Sequence, residues 1–205
     1  MASLPHLQIH PVTPARWRDL ETLFGERGAC GGCWCMWNRL PRAQYEKQKG
    51  AANKRAMKRI VQKGPPPGLI AYAGREPVAW CAIAPRETYP VLENSRVLAR
   101  VDEKPVWSVA CFFIKRPWRH KGVSTQLLKA ATQFARKRGA SIVEGYPLDP
   151  HPGKIMATLA WAWPGMLPTF TRAGFKEVER RSPTRPILRR SQGLPLSLTK
   201  EHKHN

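Results

Sequence analysis

Ile114-Lys115-Arg116-Pro117-Trp118-Arg119-His120-Lys121-Gly122-Val123-Ser124 is the stretch on which the reading of this chain turns. An apolar run, Val106 to Ile114, enters it as a strand. The segment that leaves it has the helical period, with Val123, Leu127, Leu128, Ala131 and Ala135 on one side and Gln126, Lys129, Gln133 and Lys137 on the other. A strand-to-helix turn presents unpaired backbone N–H groups at the positive end of a helix dipole, which suits a phosphate. Gly122 permits close backbone approach, and Lys115, Arg116, Arg119 and Lys121 surround it with charge. The same residues also describe an ordinary strand–helix connection with solvated bases, so the junction alone leaves both readings open.

The chain has 205 residues, 42% of them hydrophobic, which fits one domain with a proper core over residues 1–190. No run approaches the roughly 18 consecutive apolar residues of a membrane span, and no membrane association is expected. Met1-Ala2-Ser3-Leu4-Pro5-His6 lacks the basic start and apolar centre of a secretory signal. Five cysteines, an odd number, argue for free thiols in a reducing compartment, and the expected location is cytoplasmic. Thirty-five Lys and Arg against fourteen Asp and Glu give a net charge of +21. Two explanations stand level: attraction to nucleic acid or another polyanion, or a solvated, arginine-rich surface.

Arg119-x-x-Gly122-x-Ser124 after a hydrophobic strand resembles the Q/R-x-x-G-x-G/A pyrophosphate loop of the GCN5-related N-acetyltransferases. Ser141-Ile142-Val143-Glu144-Gly145 is similar to the next strand of that family. Phe170-Thr171-Arg172-Ala173-Gly174-Phe175 resembles its late aromatic-x-x-x-Gly-Phe pattern. The resemblance covers Val106 to Val178 closely and Leu7 to Arg190 loosely. It implies an α/β fold with a mixed, mainly antiparallel twisted sheet flanked by helices. It also implies direct transfer of an acetyl group from acetyl-coenzyme A to a small-molecule or peptide amine acceptor.

Along the chain, Leu7 to Val12 reads as a first strand. Thr13 and Pro14 open a helix with Trp17, Leu20, Leu23 and Phe24 as its stripe, ended by Gly25. Cys30-x-x-Cys33-x-Cys35 offers three thiols without a companion histidine, short of the four ligands of a structural zinc site. No metal is expected there, and a loop lining the acceptor pocket is. Pro41 to Lys63 reads as helix, with eight Lys or Arg and one acid, Glu46; its bases are spread around it. This is the best nucleic-acid candidate in the chain, or else a solvated face. Gly64-Pro65-Pro66-Pro67-Gly68 stops it. Leu69 to Ala73 and Val78 to Ala84 suit a hairpin, and Pro85 to Lys104 an irregular segment over the acceptor site. Tyr146 to Gly153 is turn-rich, and Trp161 to Gly165 is a break between helical segments. Thr169 to Ala173 forms a short helix stopped by Gly174, and Phe175 to Arg180 with Pro186 to Arg189 forms a terminal hairpin. The polar tail, residues 191–205, is expected to be disordered.

The resemblance implies that the main chain of Phe112 and Ile114 flanks the thioester and pantetheine arm. It implies too that Arg119, His120, Lys121, Gly122, Val123 and Ser124 hold the pyrophosphate. The family's tyrosine acid is replaced by Phe170, leaving Tyr146 as the substitute acid or as an ordinary strand-end aromatic. Glu144, in an apolar run at a strand end, is either the base or a polar side chain pointing off the sheet. A polybasic acceptor is disfavoured, because only fourteen acids are available to receive it. A nucleic-acid-binding protein with a vestigial or sensory acyl-coenzyme A site is the alternative.

Overall fold

A computed structural model describes residues 6–150 and 162–191. Seven strands form one sheet: β1 (Gln8–Pro11), β2 (Gly68–Ala73), β3 (Glu76–Pro85), β4 (Trp107–Ile114), β5 (Ile142–Gly145), β6 (Lys176–Glu179) and β7 (Ile187–Ser191), in the spatial order β1-β2-β3-β4-β5-β7-β6. Every neighbouring pair is antiparallel except β4 and β5. That parallel pair requires a crossover, supplied by the helix α5 (Val123–Arg136) that the opening motif begins.

The strand alternation builds two cores. Leu69, Ala71, Cys81, Val109, Phe112 and Val143 face α5, meeting Leu127, Leu128 and Ala131. Ile70, Tyr72, Trp80 and Ala82 face the other way, under α1 (Trp17–Phe24), α3 (Ala51–Lys63) and the cysteine-containing loop between α1 and α2 (Arg42–Gln48). Beside them Ala84, Ala110, Tyr146 and Ile187 lie under the segment after β3. The expected single helix over 41–63 is two, because Gly50 takes φ +81° and its N–H bonds the Gly32 carbonyl at 2.9 Å. Helix α3 buries Asn53, Met57 and Val61 and exposes Arg55, Lys58, Arg59 and Lys63. The segment expected to be irregular, 85–104, holds a 3-10 turn at Arg86–Thr88 and a short helix α4 (Pro90–Glu93). The late helix spans Leu167–Arg172, and β6 and β7 form the terminal hairpin. The polar tail beyond Ser191, and the turn-rich stretch and helix break in their parts within 151–161, lie outside the described residues. Among the described residues no helix is long and apolar enough to cross a membrane.

One extra residue shapes the centre of the sheet. Ala82 opposes Cys111 and Ile83 opposes Val109, so Ala110 is a bulge in β4. Ala110 and Cys111 therefore both turn away from α5, each packing with a cluster on the opposite face. The buried amide of Asn38 donates to the bulge carbonyl, Nδ2 to Ala110 O, at 3.1 Å. Pairing of β4 with β5 stops at Val109 and Gly145, although β4 continues to Ile114. The two strands thus fork.

Gly145 closes the root of the fork on a fully buried Phe170. A Cβ at Gly145 would fall 2.0 Å from that ring. Gly145→Ala should cost about 1–3 kcal/mol through overpacking, read from urea unfolding midpoints.

Candidate active site

A short segment of the chain's own backbone lies in the fork. The Phe112 N–H donates to the Trp163 carbonyl at 2.6 Å. On the other side Leu148 N–H donates to Gly165 O at 2.8 Å, and Leu167 N–H to Leu148 O at 2.9 Å. Gly165, at φ +88°, fits against the Phe170 and Phe112 rings, where a Cβ would meet carbons at 2.9 and 3.1 Å. The Trp163 ring meets Trp37 edge-on at 5.9 Å, and Trp37 in turn packs on Tyr45 at 5.0 Å. The Phe112 amide, expected beside a thioester, is thus matched here to a carbonyl of the same chain. The Ile114 carbonyl is likewise engaged, accepting Arg119 Nε at 3.0 Å.

The loop after β4 has the local geometry of an anion cradle. Gly122 takes the left-handed conformation, φ +73°, at the N-cap of α5, and His120 does so at φ +60°. The first-turn amides of Val123, Ser124 and Thr125 have no acceptor among the described residues. Arg116, Arg119, His120 and Lys121 are exposed, and none is paired to a carboxylate among those residues. Lys121 Nζ stands 5.5 Å from the Trp118 ring centre. Three free N–H groups, a 14-residue helix dipole and four uncompensated basic side chains suit a diphosphate.

Glu144 and Tyr146, read from the sequence as base and acid at a cleft, sit in the interior. Glu144 is 0% exposed and Tyr146 2%. Glu144 Oε1 accepts Arg86 Nη1 at 2.9 Å and the Tyr146 hydroxyl at 2.6 Å, while Oε2 accepts Arg189 Nε at 2.7 Å. Arg86, itself fully buried, also donates to Glu93 at 2.5 Å and to the carbonyls of Leu92 and Leu98 at 3.0 and 2.7 Å. The Tyr146 oxygen receives Arg86 Nη1 at 2.8 Å and lies 2.7 Å from Ser108 Oγ. Burial, reinforced by the Glu144 charge, pushes the Tyr146 phenol well above its ordinary range. Arg86 and Arg189 turn what reads as a cleft carboxylate into an interior ion pair. Sequence inspection missed both, since they lie 58 and 45 residues from Glu144.

The cysteine loop packs on the sheet. Cys35 Sγ accepts Trp80 Nε1–H at 3.2 Å, and the neighbouring Cys111 thiol holds the Cys35 thiol below the usual range, whereas burial pushes Cys33 up to about 11. Among the described residues no three His, Cys, Asp or Glu gather in a way that could hold a metal ion.

Comparison with known proteins agrees with this geometry. A solved acetyltransferase of the GNAT family from Streptococcus agalactiae superposes with TM-score 0.54 at 11% identity, over 94% of this chain and 99% of that one. One from Listeria monocytogenes gives 0.53 at 7% identity, over 91% and 95%. The aminoglycoside N-acetyltransferase AAC(6')-Iy, solved in complex with CoA, gives 0.51 at 17% identity, over 89% and 95%. At such identities the likeness establishes the fold. No curated protein matches the chain significantly. The sequence profile described as Acetyltransferase (GNAT) family matches residues 34–146, which begin inside the cysteine loop just before Cys35 and span the bulged strand, the anion cradle and β5. With more than half of the chain matched, and the forked mixed sheet around it, this protein belongs to the acetyltransferase (GNAT) family, whose chemistry is acyl transfer from an acyl-coenzyme A to an amine.

Proposed function

We propose that this chain is an N-acetyltransferase acting on acetyl-coenzyme A and an amine, built as one domain over residues 1–190. The observation that carries the reading is the fork of β4 and β5 opening beside three amides at the start of α5 that have no acceptor among the described residues. Acetyl-coenzyme A supplies an activated thioester carbonyl. The amides of Val123, Ser124 and Thr125, with Gly122 giving close approach, Arg119 and Lys121 giving charge and His120 a ring N–H, would bind the pyrophosphate. The Phe112 N–H polarises the reacting carbonyl, exchanging the Trp163 oxygen for it, and Ile114 lines the arm through its main chain. As the amine nitrogen bonds the acetyl carbon, the carbon–sulfur bond breaks and the thiolate departs. The amine proton passes to water, because Glu144 and Tyr146 are enclosed and already bonded to one another. The five free thiols suit a reducing compartment such as the cytoplasm.

A second reading rests on α3, whose exposed Arg55, Lys58, Arg59 and Lys63 stand on a helix without acids. It makes that face a nucleic-acid contact.

Calorimetry should show acetyl-coenzyme A binding at sub-millimolar concentration, and Gly122→Glu should abolish it, because the new side chain is strained at φ +73° and repels phosphate. Absence of binding by the unaltered protein would overturn the reading. Glu144→Gln should lower stability by about 3–5 kcal/mol, leaving two buried arginines undercompensated. The acid limb of its pH–rate profile should match the parent's, whereas a base would flatten it. On the second reading, a nucleic-acid affinity should fall steeply with salt, and Gln at Arg55, Lys58 and Arg59 should flatten the dependence by about three phosphates' worth.

A further inference from the structure

The two buried arginines among the described residues, Arg86 and Arg189, share Glu144. The partly buried Arg39 and Arg185 differ from them. Neither has a carboxylate within 4.0 Å among the described residues, and each has a buried Nε with no acceptor at all among them. Arg39 lies over the Tyr89 ring, 4.6 Å from its centre, and spends one nitrogen, Nη2, on the Tyr89 hydroxyl at 3.2 Å and the Pro67 carbonyl at 3.5 Å. Burial draws the Arg185 guanidinium below its ordinary range, with nothing opposing it. Enclosing cationic donors without acceptors is unfavourable, and an oxyanion removes that penalty through charge-assisted bonds.

Their positions connect them to the fork. Arg39 follows Asn38, whose amide holds the bulge carbonyl of Ala110 on β4. Arg185 follows Thr184, whose carbonyl accepts the N–H of Asp149 at 2.9 Å, one residue beyond the Leu148 that forms the other arm. Tyr89 under Arg39, and Ile187 just after Arg185, belong to one cluster with Ala110 and Tyr146. On the acyltransferase reading above, we propose that the acceptor amine carries an oxyanion, and that Arg39 and Arg185, each next in sequence to a residue bonded at one arm of the fork, recognise it. A polycationic acceptor would instead meet two guanidiniums of its own sign.

The test compares 4-aminobutyrate and 3-aminopropylphosphonate with butylamine as acceptors, using acetyl-coenzyme A and the full chain. Carboxylate and phosphonate arms separate the two oxyanion sources. At least one acidic amine should exceed butylamine tenfold or more in kcat/KM. Arg39→Gln and Arg185→Gln should each reduce that preference at least tenfold, while Arg39→Lys retains part of it. The coenzyme A dissociation constant should be the same in all three variants, which a general loss of structure would not leave untouched. If none of the amines turns over, saturable binding of an acidic amine to the coenzyme A-loaded protein, lost in the Gln variants, supports the inference, and no such binding overturns it. Equal handling of acidic and neutral amines, or a preference that survives both Gln substitutions, overturns the inference while the acyltransferase reading stands. Failure to bind coenzyme A overturns both.

Discussion

Two parallel strands stay hydrogen-bonded only while their registers run together, and the bulge at Ala110 ends that condition for β4 and β5. A residue in excess on one strand bends it and sharpens its twist. Here the bend leaves Val109 and Gly145 as the last paired residues and sends Cys111 to Ile114 away from β5. The bulge carbonyl needs a partner, because it faces protein rather than water. Asn38 provides it, so the loop between α1 and α2 is fastened to the point where the sheet divides. Trp37 then lies against Trp163 inside the division, and Arg39 extends over the Tyr89 ring. The anion cradle follows from the same strand, because β4 delivers the chain into the left-handed turn at His120 and Gly122.

Behind the fork lies a second constraint, the enclosed charges. Taking Arg86 and Glu144 out of water is unfavourable, and their attraction offsets it only with good geometry and full hydrogen bonding. Both conditions hold. Glu144 uses both oxygens, and Arg86 engages two carboxylates, a phenol and two carbonyls. The ion pairs tie the segment after β3 to β5 and β7.

Much of this architecture is legible in the sequence. The alternation of β2 and β3, the stripe of α5 and the strand–glycine–helix junction follow from local patterns, and the structure has each where periodicity places it. The site reads less well for physical reasons. Ala110-Cys111 looks like two more residues of an unbroken apolar strand, and nothing in a run of small hydrophobes announces a slipped register. Glu144 in Ile-Val-Glu-Gly-Tyr looks like a strand-end carboxylate, since its two guanidinium partners come from remote parts of the chain. The Trp163–Phe112 contact joins two backbone groups and leaves no trace in side-chain identity. The break in the helix over 41–63 is locally visible only as Gly50, a residue that helices tolerate at modest cost.

The segment in the fork has a bearing on solubility. Two diverging strands expose rows of unpaired N–H and C=O groups toward each other, the same template that lets sheet edges recruit foreign strands and seed aggregates. Phe112 and Leu148 spend those groups on Trp163, Gly165 and Leu167, so the protein presents no open edge at these positions of its apolar cleft. A sheet that divides in its apolar interior thereby guards against misassembly, using the chain's own backbone to cover the parting strands.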